Sequence, residues 1–255
     1  MNRKTFLLVT ALLIFFTINS ISAQQASSTT LPFPKINLDI GKAENGNDVS
    51  VTLQILLLMT VLSLAPSIVI MTTSYLRTII VFHFLKNALG TQQMPPSQLL
   101  AGIALFITFF VMAPTWNKVN DEALKPLMDN KLNIQQAYDK GIEPIRQFMF
   151  KHVRDEDLEL FIGLSNQVRP KNRNDIQTYI LIPSFALSEL RTGFIMGFFL
   201  FIPFIMVDLI VSSILMSMGM MMMPPMMISL PFKILLFILV DGWNLIVGSV
   251  IRSFQ

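Results

Sequence analysis

Eight methionines stand between Met216 and Met227, inside the stretch SSILMSMGMMMMPPMMISLPFKILL that runs from Ser212 to Leu236. Thioethers at that density allow two kinds of chemistry. They can ligate a soft cation such as Cu(I), or they can form a deformable apolar surface, because the methionine side chain is unbranched, flexible and polarisable. Gap-filling in an ordinary core is the plainer alternative. A metal route would rest on thioethers alone, since the chain has no cysteine and its two histidines, His83 and His152, are distant in sequence. Gly219, Pro224, Pro225 and Pro231 interrupt the run, and each weakens or ends a helix through backbone freedom or a missing N–H. The methionines are therefore predicted in a bent loop between two helices. No charge occurs from residue 209 to 232, which is long enough to lie at membrane depth. Irregular backbone is tolerated there only where it is buried in protein or lines a cavity, so a soft apolar loop in that position has the properties of a seal.

The second set of candidates is ionisable. Glu189, Arg191, Asp208, Lys233 and Asp241 interrupt an otherwise apolar last third, and such groups at membrane depth are costly unless paired or facing water. Glu189 and Arg191 could instead sit near a helix end and reach the interface. Asp208 and Lys233 bracket the methionine run with opposite charge, so Lys233 is expected to meet Asp208 or Glu189 in the same or a neighbouring subunit. Gly193 and Gly197 form a G-x-x-x-G face that lets another helix approach closely. The acids in apolar sequence are spread singly, no nucleophile stands beside a base, and no catalytic constellation, metal set or cofactor site is predicted. The chain reads as a non-enzyme.

The elements that must position these residues can be read from composition. Of 255 residues 53% are hydrophobic and 14% charged, with a net charge of +3, which places the chain among integral membrane proteins of all-α class. The few basic residues are scattered without interleaved aromatics, so nucleic acid is not an expected partner. At the N-terminus Arg3 and Lys4 precede an apolar run to Phe16 and small residues up to Ala23, the pattern of a secretory signal peptide over residues 1–23. An uncleaved signal anchor is the alternative. Residues 24–50 are polar and aperiodic, an exported disordered lead-in.

Residues 51–114 read as a first apolar hairpin: a span kinked at Pro66, a short basic loop over 77–98 on the cytoplasmic side, and a second span from Leu99 to Pro114. Residues 115–179 carry ten basic and ten acidic side chains and form a small exported helical domain. Asn133 with Gln136 suggests a capping box, Pro144 the first turn of a helix reaching Phe150, and Asp155 a further helix start. Residues 180–255 are a second apolar hairpin carrying the methionine loop. No internal repeat supports the alternative of a small-solute or metal transporter with a methionine-lined site.

Many short runs resemble one family in order along the chain. They include LSLAP at 62–66, TSYLR at 73–77, ALGTQQ at 88–93, FFVMAP at 109–114, IPSF at 182–185, SEL at 188–190, MSMGMMMM at 216–223, SLPFK at 229–233 and DGWNL at 241–245. Together they are similar to FliP, the P subunit of the flagellar type III export gate, over essentially everything after Thr52. Tyr75-Leu76 and Ser184 depart mildly from the family pattern.

The resemblance implies a pentamer, joined by Q and R subunits into a helical ring in the inner membrane at the flagellar basal body. It further implies work alongside FlhA and FlhB, unfolded flagellar proteins as cargo, and a gasket made of Met216, Met218, Met220, Met221, Met222 and Met223. Much of such a ring stands above the membrane plane.

Overall fold

The computed structural model describes residues 46–91, 94–165, 170, 172–220 and 224–255. The predicted signal peptide, nearly all of the lead-in and Met221–Met223 lie outside the described residues. Residues 1–53 and 54–255 form two compact units. Of the first only 46–53 are described, as the opening turns of a helix, and the remaining elements belong to the second.

Every regular element among the described residues is helical. They are α1 (Gly46–Met71), α2 (Tyr75–Leu89), α3 (Ser97–Val119), the short α4 (Lys125–Met128), α5 (Ile134–His152), α6 (Asp155–Leu164), α7 (Thr178–Ser217), α8 (Pro225–Leu239) and α9 (Gly242–Arg252). A π-turn at Asn120–Leu124 joins α3 to α4, and a 3-10 turn at Arg173–Asp175 precedes α7. Leu53–Met71, Ser97–Met128 and Thr178–Ser217 are long and apolar enough to cross a membrane, and the pair α8–α9, bent by 63°, could make a fourth crossing. The Leu53–Met71 stretch is not covered by the rest of the chain. A helix apolar on all sides needs lipid or another protein around it.

The stretch 77–98, read from sequence as a loop, is mostly helix. Arg77, Val81, Leu85 and Ala88 recur at helical spacing on one buried face of α2, and the connecting segment shrinks to residues 90–96, opened by Gly90 at φ +70° as the C-cap. The first hairpin is therefore α2 with α3, closed by a hydrogen bond from Lys86 Nζ to Ser97 Oγ at 2.9 Å. One more boundary moves. Pro144 lies within α5 and not at its start, and α7 runs unbroken for 40 residues through Pro183 and Pro203. Those 40 residues span about 60 Å, roughly twice the hydrocarbon thickness of a bilayer.

The direction of α2 fixes the rest of the arrangement. Arg77 meets Glu189, Ile80 lies against Gly193 and Phe84 against Gly197. Contacts that advance together along both helices mean that α2 and α7 run parallel. The Arg77 end adjoins the helical domain of residues 120–177, and the other end carries both loop 90–96 and the methionine loop. The C-terminal residues return to the Arg77 end, where Phe254 joins Val81, Phe82, Leu100, Ala104, Ile107 and Val250 in one buried cluster.

In the helical domain the Asn133–Gln136 capping box is reciprocal: Gln136 N–H donates to Asn133 Oδ1 at 2.8 Å and Asn133 N–H to Gln136 Oε1 at 3.1 Å. A Cβ on Gly141 would lie 3.3 Å from that of Ala123, so α5 packs closely on the π-turn. Arg146 ties this domain to the start of α7 through Thr178 Oγ1 at 2.6 Å and the Ile176 carbonyl at 2.7 Å.

Candidate pore loop and buried charge pairs

The methionine loop hangs from α7 and α8. Gly219 turns the chain with φ +74°, a conformation that costs a glycine little. Pro224 caps α8 and Pro225 is its first residue, where the missing N–H costs nothing. Met216, Met218 and Met220 are 60, 66 and 39% exposed, and Met226 and Met227 are exposed as well. Thioethers uncovered at the tip of an apolar hairpin are not filling the core of this chain.

Below the loop, Asp208 of α7 accepts from two side chains of α8. Lys233 Nζ donates to Oδ2 at 2.6 Å and Ser229 Oγ to Oδ1 at 2.5 Å. Ser229 and Lys233 are one helical turn apart, so both reach the same carboxylate. The Lys233 side chain is 5% exposed and that of Asp208 37%, which leaves the acid with one edge towards the surroundings. Of the two acids expected for Lys233, the structure brings it Asp208.

Glu189 has another partner. Its carboxylate receives both Nη2 and Nε of Arg77, the latter at 2.9 Å, in the two-pronged geometry that suits guanidinium and carboxylate. Both side chains are buried. Arg77 Nη1 also donates to the Ser253 carbonyl and hydroxyl, each at 2.9 Å, and the guanidinium lies 3.9 Å from the centre of the Phe254 ring. One residue along, Ser188 accepts the Arg154 N–H at 3.0 Å and donates to Asp157 at 2.7 Å, registering α6 against α7. Arg191 is half-exposed and stands 3.9 Å from Asp157.

Gly193 and Gly197 continue the Glu189 face at intervals of four. A Cβ on Gly193 would meet Ile80 at 3.1 Å, and one on Gly197 would overlap the Phe84 ring and come 2.9 Å from the Phe84 Cβ. Asp241 sits exposed at the bend between α8 and α9, in a left-handed conformation with φ +50° and no side-chain capping hydrogen bond. Sequence reasoning missed Arg77, Ser229, Ser188, Asp157 and Ser253 as partners. For Arg77 a signal existed, because it falls in register with Val81, Leu85 and Ala88 on the apolar face of a helix.

Outside the membrane-type segments, His152 packs between Phe148 and Phe254 at 4.8 and 5.2 Å between ring centres. Burial, and after it the charges of Arg77 and Lys151, lower its pKa from 6.5 to about 4. No group of three or more His, Cys, Asp or Glu among the described residues could hold a metal ion.

The FliP family model matches residues 58–250. The Bacillus subtilis flagellar biosynthetic protein FliP is 53% identical over 217 residues, 85% of this chain and 98% of that protein. The flagellar biosynthetic protein FliP of Borreliella burgdorferi is 46% identical over 249 residues, 95% of this chain and 97% of its own length. That of Treponema pallidum is 44% identical over 239 residues, 93% and 87% of the two chains. Matches of this extent make the chain a member of the FliP family of flagellar biosynthetic proteins.

Proposed function

We propose that five copies of this chain, with Q and R subunits, form the wall of the flagellar type III export gate and close it with their methionine loops. The single observation that carries the reading is the exposed methionine tip of the α7–α8 hairpin, held at its base by Asp208 and Lys233. A channel wide enough for an unfolded polypeptide would also pass ions. Its resting seal must therefore open without breaking directional bonds. Thioethers suit this because each dispersion contact is worth only ~0.1–0.2 kcal/mol per atom pair and re-forms around any sequence.

In this reading the chain performs no chemical step. Unfolded flagellar proteins pass Met216, Met218 and Met220 to Met223, delivered through FlhA and FlhB. The gate lies at the inner membrane in the basal body, after removal of the signal peptide, with residues 115–179 on the exported side and both loops at the cytoplasm-facing end. The proposal is tested by deleting Met220–Met223 and measuring ion conductance of the isolated complex in planar bilayers. An assembled complex that leaks ions is expected, and one that assembles and stays tight overturns the gasket role.

A further inference from the structure

All the sulfur in this chain is thioether, because it has 17 methionines and no cysteine. Two-electron oxidation of sulfur can therefore fall only on methionine. The methionines are not equally open to it. Met112 and Met149 are fully buried, whereas Met216, Met218, Met226 and Met227 are each at least 60% exposed. Met94 and Met128 are exposed too, but they stand singly in the sequence, and the loop between α7 and α8 is where thioethers concentrate. That loop has no polar group to spare for a new acceptor on Met216, Met218 or Met220. No charge occurs from residue 209 to 232, and the Ser217 hydroxyl already donates to the Ile214 carbonyl at 2.7 Å. The N–H groups of Met218, Gly219 and Met220 donate to the carbonyls of Ile214, Met216 and Leu215, and Pro224 and Pro225 have no N–H. An oxygen placed on these sulfurs draws its hydrogen-bond donors from water.

We infer that the exposed methionines of this loop are an oxidation site, through which hydrogen peroxide loosens the gate and methionine sulfoxide reductases tighten it again. The sulfur lone pair attacks one oxygen of the peroxide, and an S–O bond forms as the O–O bond breaks. The departing oxygen takes the proton of the transferred one and leaves as water, so sulfur is oxidised by two electrons and the peroxide is reduced by two. Reductase thiols reverse the step, releasing the oxygen as water and ending as a disulfide. The sulfoxide is polar and chiral where the thioether was apolar, and the water that solvates it enters a contact held by dispersion alone. Hydrogen peroxide is hardly larger than water, so it reaches a rim that is closed to polypeptides. The inference rests on the gate reading above, and the two fail separately.

The test treats the isolated complex in planar bilayers with hydrogen peroxide, then with the two methionine sulfoxide reductases, one for each sulfoxide epimer, and a thiol reductant. Peptide mass spectrometry is expected to find sulfoxide within residues 216–227 at doses that leave Met112 and Met149 unoxidised. Ion conductance is expected to rise several-fold in step with it and to fall back after the reductases. A loop that is oxidised without a change in conductance overturns the proposal, as does a loop that stays unoxidised while Met94 and Met128 react. A complex grown with norleucine in place of methionine keeps the unbranched side chain without its sulfur, and is expected to hold its conductance under peroxide. A rise there removes the thioethers from the effect. Where that complex does not assemble, Met216→Leu, Met218→Leu, Met226→Leu and Met227→Leu combined take its place, and a rise equal to that of the parent overturns the site. A complex that leaks on deletion of Met220–Met223 yet stays tight when oxidised keeps the gasket and loses the oxidation site. One that stays tight on deletion while oxidation still raises its conductance loses the gasket and keeps the site.

Discussion

At the scale of residues, the two buried ion pairs differ in their surroundings. Arg77–Glu189 is closed off on both sides, whereas Asp208 keeps an open edge. Removing one partner of a fully buried pair strands a charge, at a cost of about 3–5 kcal/mol. Arg77→Met is therefore expected to lower the thermal midpoint and the yield of the assembled protein sharply. Arg77→Met combined with Glu189→Met should recover most of the loss, because well-packed apolar replacements of a buried pair are often neutral or stabilising. A double variant as damaged as the single one would show that the Ser253 and Phe254 contacts of Arg77 matter more than the pair. His152 gives a pH dependence whose sign is fixed by its lowered pKa. Its neutral form is favoured by folding, so its contribution is complete above pH 6.5 and is lost as the pH falls towards about 4. Thermal midpoints measured over that window should decline less steeply in His152→Gln than in the parent chain. Sequence exposed the acids, Lys233 and the methionines, because charge or thioether density is conspicuous in apolar surroundings. Ser188 and Ser229 stayed hidden, since a hydroxyl is equally at home bonding its own helix.

At the scale of elements, α2 and α7 are held together by shape. Gly193 and Gly197 give α7 a flat strip, and Ile80 and Phe84 of α2 fill it. Gly197→Ala puts a methyl group into the near end of the Phe84 side chain, which cannot swing aside at its Cβ. The expected cost is about 1–3 kcal/mol of overpacking, read as a lower thermal midpoint. Adding Phe84→Leu should return part of it, and a Gly197→Ala chain of full stability would show that the helices separate freely. The small-residue strip was legible in sequence, but its partner was not. Residues 77–98 read as a basic loop because Arg77 and Lys86 were weighed by charge alone, when the spacing of Arg77, Val81 and Leu85 already described a helix. The length of α7 was illegible for the opposite reason. Pro183 and Pro203 argue for breaks, yet the helix runs through both.

At the scale of the whole molecule, the parallel run of α2 and α7 puts the helical domain at one end and both loops at the other. Single cysteines at Gln135 and at Met94 are therefore expected to react with a membrane-impermeant thiol reagent from opposite sides of the membrane. Labelling of both from the same side would overturn that orientation. The ends of the chain that matter to one another are also far apart in time. Arg77 and Glu189 are separated by 112 residues, and a ribosome adding about 5–20 residues per second needs roughly 6–22 s to cover that interval. Until Glu189 has been added, Arg77 has no such carboxylate to pair with. A nascent chain that has emerged past Arg77 but not yet reached Glu189 carries that guanidinium unneutralised, and this stage of synthesis is where quality-control proteolysis is expected to act. A chain truncated at Ser165, lacking all of α7, is expected to be degraded within minutes in cells, and Arg77→Met should lengthen its half-life.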